Sequence, residues 1–345
     1  MKLMRKICLV LIGILMVMSI TNTVFSADEV YRWKLQSLDT ASMLGPSITQ
    51  KAFCERIKEM SNGRLEISLF TAGELTPTFE IIGSMKTGMV DIAITSGSYY
   101  GGFIPEASLE ASALPPLIID SFRDAIQLYW YGGLDEIIRQ GYAEQGVYFV
   151  GSVPQPVPIA FWSKKPMYGV EDFKGFKVRS FGYLARVLAE LGAGSVSLPQ
   201  EEVYTAISQG VIDGSMTDAS YYEGMRFYEV APYFYLPGFM HISAICMIIS
   251  QQSWDALPND LKAIVREAYV HYVHDHAQRA WFNYEQMLKS FDEKGVTLIT
   301  FSDEDQQKIR ERGMLILDEI AEKSELNKKG IELIKNYLKE KGFLK

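Results

Sequence analysis

The chain has 345 residues, 48% of them hydrophobic and 22% charged, with a formal net charge of −8. That composition excludes a disordered or fibrous chain and provides enough apolar residues for two domains. The acidic balance argues against nucleic acid or an anionic membrane surface as a partner.

Lys2, Arg5 and Lys6 precede an apolar run over 8–20, and Val24 and Ser26 stand before Ala27. This pattern is a signal peptide over 1–26, so export to the periplasm is expected. The apolar run, roughly 13 residues, is short of the ~20 needed to span a bilayer. Removing the segment leaves about 319 residues and, with three fewer positive charges, a formal charge of −11. Cys54 and Cys246 survive processing. One falls in a helix-like stretch and the other in an apolar strand-like run, so both are expected as buried free thiols.

The mature chain opens with a strand over 33–37. A helix follows, with Ile48, Ala52, Phe53, Ile57 and Met60 on its apolar stripe, then a strand over 65–70. Residues 72–79 form a loop entering a second helix, with Glu74 a structural or rim residue. That helix ends at Gly88, as left-handed caps do, and a third strand covers 90–94. The same succession recurs as a strand over 176–180, a helix on Leu184, Val187, Leu188 and Leu191, a strand over 195–198, a helix ending at Gly210, and a strand over 211–215.

The two copies match residue by residue. Glu80, Gly88, Asp91, Thr95, Ser98, Tyr99 and Tyr100 stand 122 positions before Glu202, Gly210, Asp213, Thr217, Ser220, Tyr221 and Tyr222. Strand, helix, strand, helix, strand is the pattern of a parallel sheet covered by helices. The expected fold class is therefore α/β, in two lobes, each a mainly parallel sheet flanked by helices.

Lobe I is expected over 27–152 plus about 240–275, and lobe II over 153–239. The crossings lie near 150–158 and 236–242, punctuated by Pro154, Pro156, Pro158, Pro237 and Gly238. Apolar runs over 148–150 and 245–249 flank them. A long helix over about 258–296 would brace both lobes. The segment 303–345 reads as two further helices, with Ile309, Met314 and Leu315 on one apolar side and Ile331, Leu333, Ile334 and Leu338 on the other. Those sides suit packing on the chain itself or a homodimer contact.

Parallel α/β sheets bind ligands beyond the carboxyl ends of their strands. Those ends are 36–40 and 95–100 in lobe I, and 179–183 and 216–221 in lobe II. Facing lobes would bring all four segments to one cleft. Arg179 is the leading candidate, because a guanidinium fork fits a carboxylate in two parallel bonds. Tyr99, Tyr100, Phe181 and Tyr221 would exclude water around it. Gln155 brings an amide donor and acceptor to the first crossing. Thr217 and Thr95 end matching strands, and Asp218 either meets a ligand hydroxyl or amine or caps the next helix. His241 is expected near the hinge, within reach of the cleft. His271 and His274 are spaced for zinc, but no third ligand clusters with them, and His276 is expected on another face of the helix. No metal or cofactor site is therefore expected.

Several motifs together carry a family resemblance. They are Ala72-Gly73-Glu74-Leu75, Phe173-Lys174-Gly175-Phe176-Lys177-Val178-Arg179, Glu202-Val203-Tyr204, Gly210-Val211-Ile212-Asp213-Gly214 and Trp254-Asp255-Ala256-Leu257-Pro258. Over nearly the whole mature chain the sequence resembles the extracytoplasmic solute receptors of TRAP transporters. The resemblance implies a two-lobed periplasmic-binding-protein fold, closure on a ligand, and delivery to a membrane permease. It also implies that Arg179 binds the substrate carboxylate. Residues 73–79 and Ser98-Tyr99-Tyr100 look most like the α-keto-acid receptors, which place a glutamine where Gln155 stands. Those receptors help hold a metal with a Glu-Trp pair where this chain has Met216 and Thr217, and methionine is a poor ligand for a hard cation. The expected ligand is a small monocarboxylate: a keto, hydroxy or aromatic acid.

The chain contains no G-x-S-x-G, H-E-x-x-H, C-x-x-C or Walker pattern. A receptor is expected rather than an enzyme. An exported enzyme or a ligand-sensing subunit on the same scaffold is the alternative.

Overall fold

The computed structural model describes residues 29–112, 118–119 and 121–344. The expected signal peptide lies outside the described residues. Eleven strands form two sheets among them. They are β1 (Tyr31–Ser37), β2 (Leu65–Phe70), β3 (Ile92–Thr95), β4 (Val147–Gln155), β5 (Ile159–Ser163), β6 (Lys177–Arg179), β7 (Gly194–Val196), β8 (Gly214–Asp218), β9 (Tyr233–Met240), β10 (Ser243–Ser250) and β11 (Thr297–Thr300).

The lobe I sheet runs β2-β1-β3-β10-β4 and the lobe II sheet β11-β9-β5-β8-β6-β7. In lobe I only β10 opposes its neighbours. In lobe II only β5 does. Each reversed strand has just arrived from the other lobe: β5 follows β4 and β10 follows β9. The order β7-β6-β8-β5-β9 thus repeats β2-β1-β3-β10-β4, so the internal repeat has a structural counterpart.

The matched residues do matching work. Asp91 accepts the Lys34 amide at 2.8 Å, and Asp213 accepts the Lys177 amide at 2.9 Å. The backbone of each aspartate donates back to the same lysine's carbonyl. Each carboxylate therefore clips the first strand of its sheet to the third. Gly88 and Gly210 both have φ near +73° and turn the chain out of their helices. Much of the extra length in the first copy lies in its 17-residue helix Leu44–Met60 and six-residue β2, against nine and three residues in lobe II. Ile48 and Met60, expected on that helix's buried stripe, are exposed at its ends.

Two prolines expected in loops sit inside strands. Pro154 lies in β4, an edge strand whose outer side needs no backbone donor. Pro237 lies in β9, in an irregularity where Leu236 to Phe239 face Ala160 alone. Residues 156–158 are all that is left between β4 and β5, and His241-Ile242 all that is left between β9 and β10, while the chain returns to lobe II through the helix Asn259–Lys289 before β11.

The helix Asn259–Lys289 packs against Leu44–Met60 of lobe I and Ser220–Gly224 of lobe II. Its 31 residues span about 46 Å at ~1.5 Å per residue. The helices Asp303–Ala321 and Glu325–Glu340 lie on lobe II helix Gly182–Glu190 and lobe I helix Leu134–Ala143 respectively. They bury Ile309, Ile316, Leu317, Ile320, Ile331, Ile334 and Leu338 within the chain, whereas Leu315 is exposed. Cys54 and Cys246 are buried free thiols. Burial pushes the Cys54 thiol up to about 12 and raises that of Cys246.

One buried acid gives the fold a pH signature. Asp135 accepts the Ser152 amide at 3.0 Å and its hydroxyl at 2.6 Å, and burial pushes its carboxyl up to about 7. An unfolded aspartate titrates near ~3.9. Between roughly pH 4 and pH 7 the folded chain therefore holds a proton that the unfolded chain releases, and this group's contribution to stability is lost as pH rises through that window. Asp135→Asn removes the titration. Calorimetric melting should show the variant gaining on the wild type between pH 5 and pH 7.5. A Tm difference that does not change with pH would contradict this.

Candidate functional site

The carboxyl ends of both sheets converge on a cavity of about 100 Å³. Leu38, Asp39, Ser96, Ser98 and Tyr99 line it from lobe I, and Arg179 to Phe181 and Met216 to Asp218 line it from lobe II. Gln155, Ile159 and Ser243 to Ile245 close its hinge end, and His276 reaches it from the long helix.

Arg179 ends β6, where it pairs with Val196 and Ser215. It is 2% exposed. Its Nε donates to the Leu198 carbonyl at 3.1 Å, and its guanidinium lies 4.2 Å from the centre of the Phe181 ring. The repeat explains the first contact. Gln36 occupies the matching place in lobe I and donates to the carbonyl of Thr76, the match of Leu198. In both lobes the strand-end side chain ties down the loop before a helix. Glutamine is used up by this: its Oε1 also accepts the amides of Leu75 and Thr76. Arginine has two nitrogens left. One lies 3.5 Å from the Tyr99 hydroxyl, and no carboxylate of the described residues lies within 4.0 Å. Burial lowers the Arg179 pKa, because a buried charge loses its hydration.

Of the other expected residues, Gln155, Tyr99, Phe181, Thr217, Asp218 and Tyr221 also line the cavity. Tyr99 and Phe181 meet edge-on at 4.9 Å, and Phe79 meets them at 5.2 and 5.8 Å. This three-ring cluster from both lobes separates the cavity from an outer one of about 610 Å³ that shares Tyr99 and Phe181. Asp218 accepts the Ser220 amide and hydroxyl through Oδ1, and burial raises its carboxyl to about 6. Tyr221 crosses the cleft and donates to Asp39 Oδ1 at 2.6 Å.

Three expectations are corrected. Tyr100 lies behind the wall, fully buried, with its hydroxyl 2.8 Å from Thr95. The two residues satisfy each other in the lobe I core, and the Tyr100 ring stands edge-on to that of Tyr99, 6.3 Å between centres, so Tyr99 covers it from the cavity. His241 lies away from the cleft, beside Pro237 and Trp281. His276, expected elsewhere, faces the cavity. Glu74 makes a local turn, accepting from Thr71 on the surface.

Sequence reasoning missed Asp39, Ser180 and Gln200. Asp39 accepts from Gln50, Ser37 and Tyr221. Its place just past the end of β1, in a segment already expected at the cleft, was the available signal. Ser180 Oγ and Gln200 Oε1 are buried on the wall without a partner among the described residues. Buried polar atoms in that state are stabilised when a polar ligand reaches them.

Residues 45–324 match the model of the bacterial extracellular solute-binding proteins, family 7. The chain belongs to this family of TRAP transporter receptors. It is 29% identical over 252 residues to a monocarboxylate 2-oxoacid-binding periplasmic protein of Nostoc, covering 72% of this chain and 68% of that one. A TRAP periplasmic solute-binding protein of Rhodobacter sphaeroides, solved in an apo open form, is 30% identical with a TM-score of 0.68, covering 91% of this chain and 99% of that one. A relative from Pseudoalteromonas atlantica, solved with bound sodium and pyruvate, is 26% identical with a TM-score of 0.82, covering 90% and 95%.

A cation beside the ligand would need free oxygens. In this receptor Met216 offers a thioether at the wall. Both Asp39 oxygens and Asp218 Oδ1 already accept hydrogen bonds, and Gln155 Oε1 lies 2.7 Å from His276 Nε2. Asp218 Oδ2 is the one carboxylate oxygen of the described wall residues without a hydrogen bond, and Ser180 Oγ and Gln200 Oε1 add two neutral oxygens, short of the roughly six to eight that calcium takes. Among the described residues no group of three or more His, Cys, Asp or Glu converges. The donor set does not fit a metal ion.

Proposed function

We propose that this receptor captures a small monocarboxylate between its lobes in the periplasm and delivers it unaltered to a TRAP membrane permease. The observation that carries this is Arg179: a buried guanidinium with no acid of the described residues beside it, on the wall of a cavity built from both lobes. An anion that pairs with it removes the main penalty of its burial.

Cavity size narrows the ligand class. A cavity of about 150 Å³ holds benzene, which has six heavy atoms. The 100 Å³ here suits an acid of pyruvate or lactate size and disfavours an aromatic acid or a sugar acid. Pyruvate and 2-oxoacid binding among the relatives supports the same class.

Closure is the second part of the reading. The lobes meet through Tyr221 with Asp39, Thr78 with Glu201, and the Phe79, Tyr99 and Phe181 rings. The Rhodobacter protein is the more identical of the two solved relatives yet superposes less well, and it is the open one. This supports a closed form here and a rotation about residues 156–158 and His241-Ile242 that moves the β1 to β4 and β10 body against the β5 to β9 body.

A screen of pyruvate, lactate, 2-oxobutyrate, benzoate and glucuronate by calorimetry tests the ligand. Small-angle scattering before and after addition tests closure. The small acids should bind at micromolar levels, near −8 kcal/mol, and reduce the radius of gyration. Binding of only the large acids, or turnover of any of them, would sink the reading.

A further inference from the structure

We propose that His276 is a positioning residue which turns Gln155 so that the cavity presents a fixed amide N–H, in place of a cation, to a second oxygen on the bound acid. This rests on the monocarboxylate reading above and adds what selects among such acids.

The hydrogen-bond pattern determines the orientation. Gln155 Nε2 lies 3.1 Å from the Val153 carbonyl, which can only accept, so that end of the amide is the NH₂ group. The other end, Oε1, lies 2.7 Å from His276 Nε2. That oxygen can only accept, so Nε2 carries the proton. Nδ1 then accepts from the Thr49 hydroxyl at 3.2 Å. Burial lowers the His276 pKa and favours this neutral ring, against the pull of Asp39 and Asp275. Tyr272 stacks on the imidazole at 5.4 Å and holds its plane.

The relay therefore runs from Thr49 to His276 to Gln155, across lobe I, the long helix and the end of β4. Gln155 keeps one amide hydrogen without an acceptor among the described residues, and it lines the cavity with Arg179. Arg179 takes the carboxylate. The remaining fixed donor matches a keto or hydroxyl oxygen next to it. A cation at this place would have to share Gln155 Oε1 with the His276 N–H and would meet the Met216 thioether, a poor ligand for a hard cation. A site built to hydrogen-bond an oxygen rejects the analogue that lacks it.

The test compares pyruvate, lactate and propionate by calorimetry, in sodium chloride and in choline chloride with EDTA. Pyruvate or lactate should bind at least tenfold tighter than propionate, equally in both buffers, and the purified protein should hold no stoichiometric metal. His276→Leu should bring the ratio towards one while propionate binding persists, and His276→Gln, which keeps a donor at similar reach, should restore part of it. The chain has four histidines, so ¹⁵N spectra can assign the His276 tautomer. The expected state is neutral with the proton on Nε2, with or without ligand. Metal-dependent affinity, an Nδ1-protonated or charged His276 at pH 7, or an unchanged ratio in His276→Leu would overturn the proposal. If none of the three acids binds, the monocarboxylate reading falls instead, and the tautomer and metal content still decide the relay.

Discussion

Arg179→Met is expected to weaken binding of small monocarboxylates at least tenfold without destabilising the ligand-free protein. The two halves of this expectation have separate causes. A charge-assisted pair contributes roughly 1.5–3 kcal/mol net, or about ten- to a hundredfold in affinity. The bound carboxylate would also be left buried without a partner. Methionine keeps most of the aliphatic length of the side chain but gives up the guanidinium contact with the Phe181 ring. It loses the hydrogen bond to Leu198, but it also removes a buried charge that has no carboxylate of the described residues within 4.0 Å and only the more distant Glu201 to favour it. Calorimetry and thermal melting measure both halves. Arg179→Lys should also bind weakly, since an ammonium lacks the planar fork and cannot both hold the Leu198 carbonyl and pair with the ligand. Unchanged affinity in either variant would mean that the ligand sits elsewhere. A collapse of the ligand-free Tm would mean that Arg179 serves the fold.

Gly238→Ala should be among the most destabilising single-methyl additions in the chain. Gly238 has φ +85°, and a Cβ there would lie 2.6 Å from the Ile159 carbonyl oxygen. Neither side can give easily. Ile159 is held in register with Asp218 on one side and Met240 on the other. The left-handed backbone alone disfavours alanine by roughly 1–2 kcal/mol. The clash with backbone adds to this, so a Tm fall of about 3–5 °C is expected for a chain of this size. Gly210→Ala is the control. It has φ +73° but nothing within 4 Å of the added carbon, so it should show the conformational part alone. Equal effects in the two variants would remove the clash from the account. Ile159 lines the cavity, so Gly238→Ala should weaken ligand binding as well.

The repeat was legible because it rests on local chemistry. Gly88 and Gly210 end helices, and Asp91 and Asp213 clip the first strand of a copy to its third, each within one β-α-β-α-β copy. Such pairs leave the same residues at the same spacing in both copies. Most cleft residues were legible for a related reason, since the carboxyl ends of the strands follow once strand order is inferred. Strand limits were less so: β3 and β8 begin two or three residues later than expected, which places Met216 to Asp218 inside β8.

Tyr100 and His276 show where that logic stopped. Tyr99 and Tyr100 are adjacent and chemically alike, and which one faced the cleft depended on the turn over Gly97–Tyr99. His276 lies on a helix that touches both lobes, so no single apolar stripe in the sequence sets its phase.

The amino-acid sequence alone thus determined the two-lobed α/β plan, the family, and a cationic strand end at residue 179, because each follows from short-range pattern. Only the tertiary structure decided that Arg179 is left without an acid, that Tyr221 reaches Asp39, and that His276 holds Gln155. Those contacts join residues up to 182 positions apart, and their geometry exists only after two lobes and the long helix have packed together.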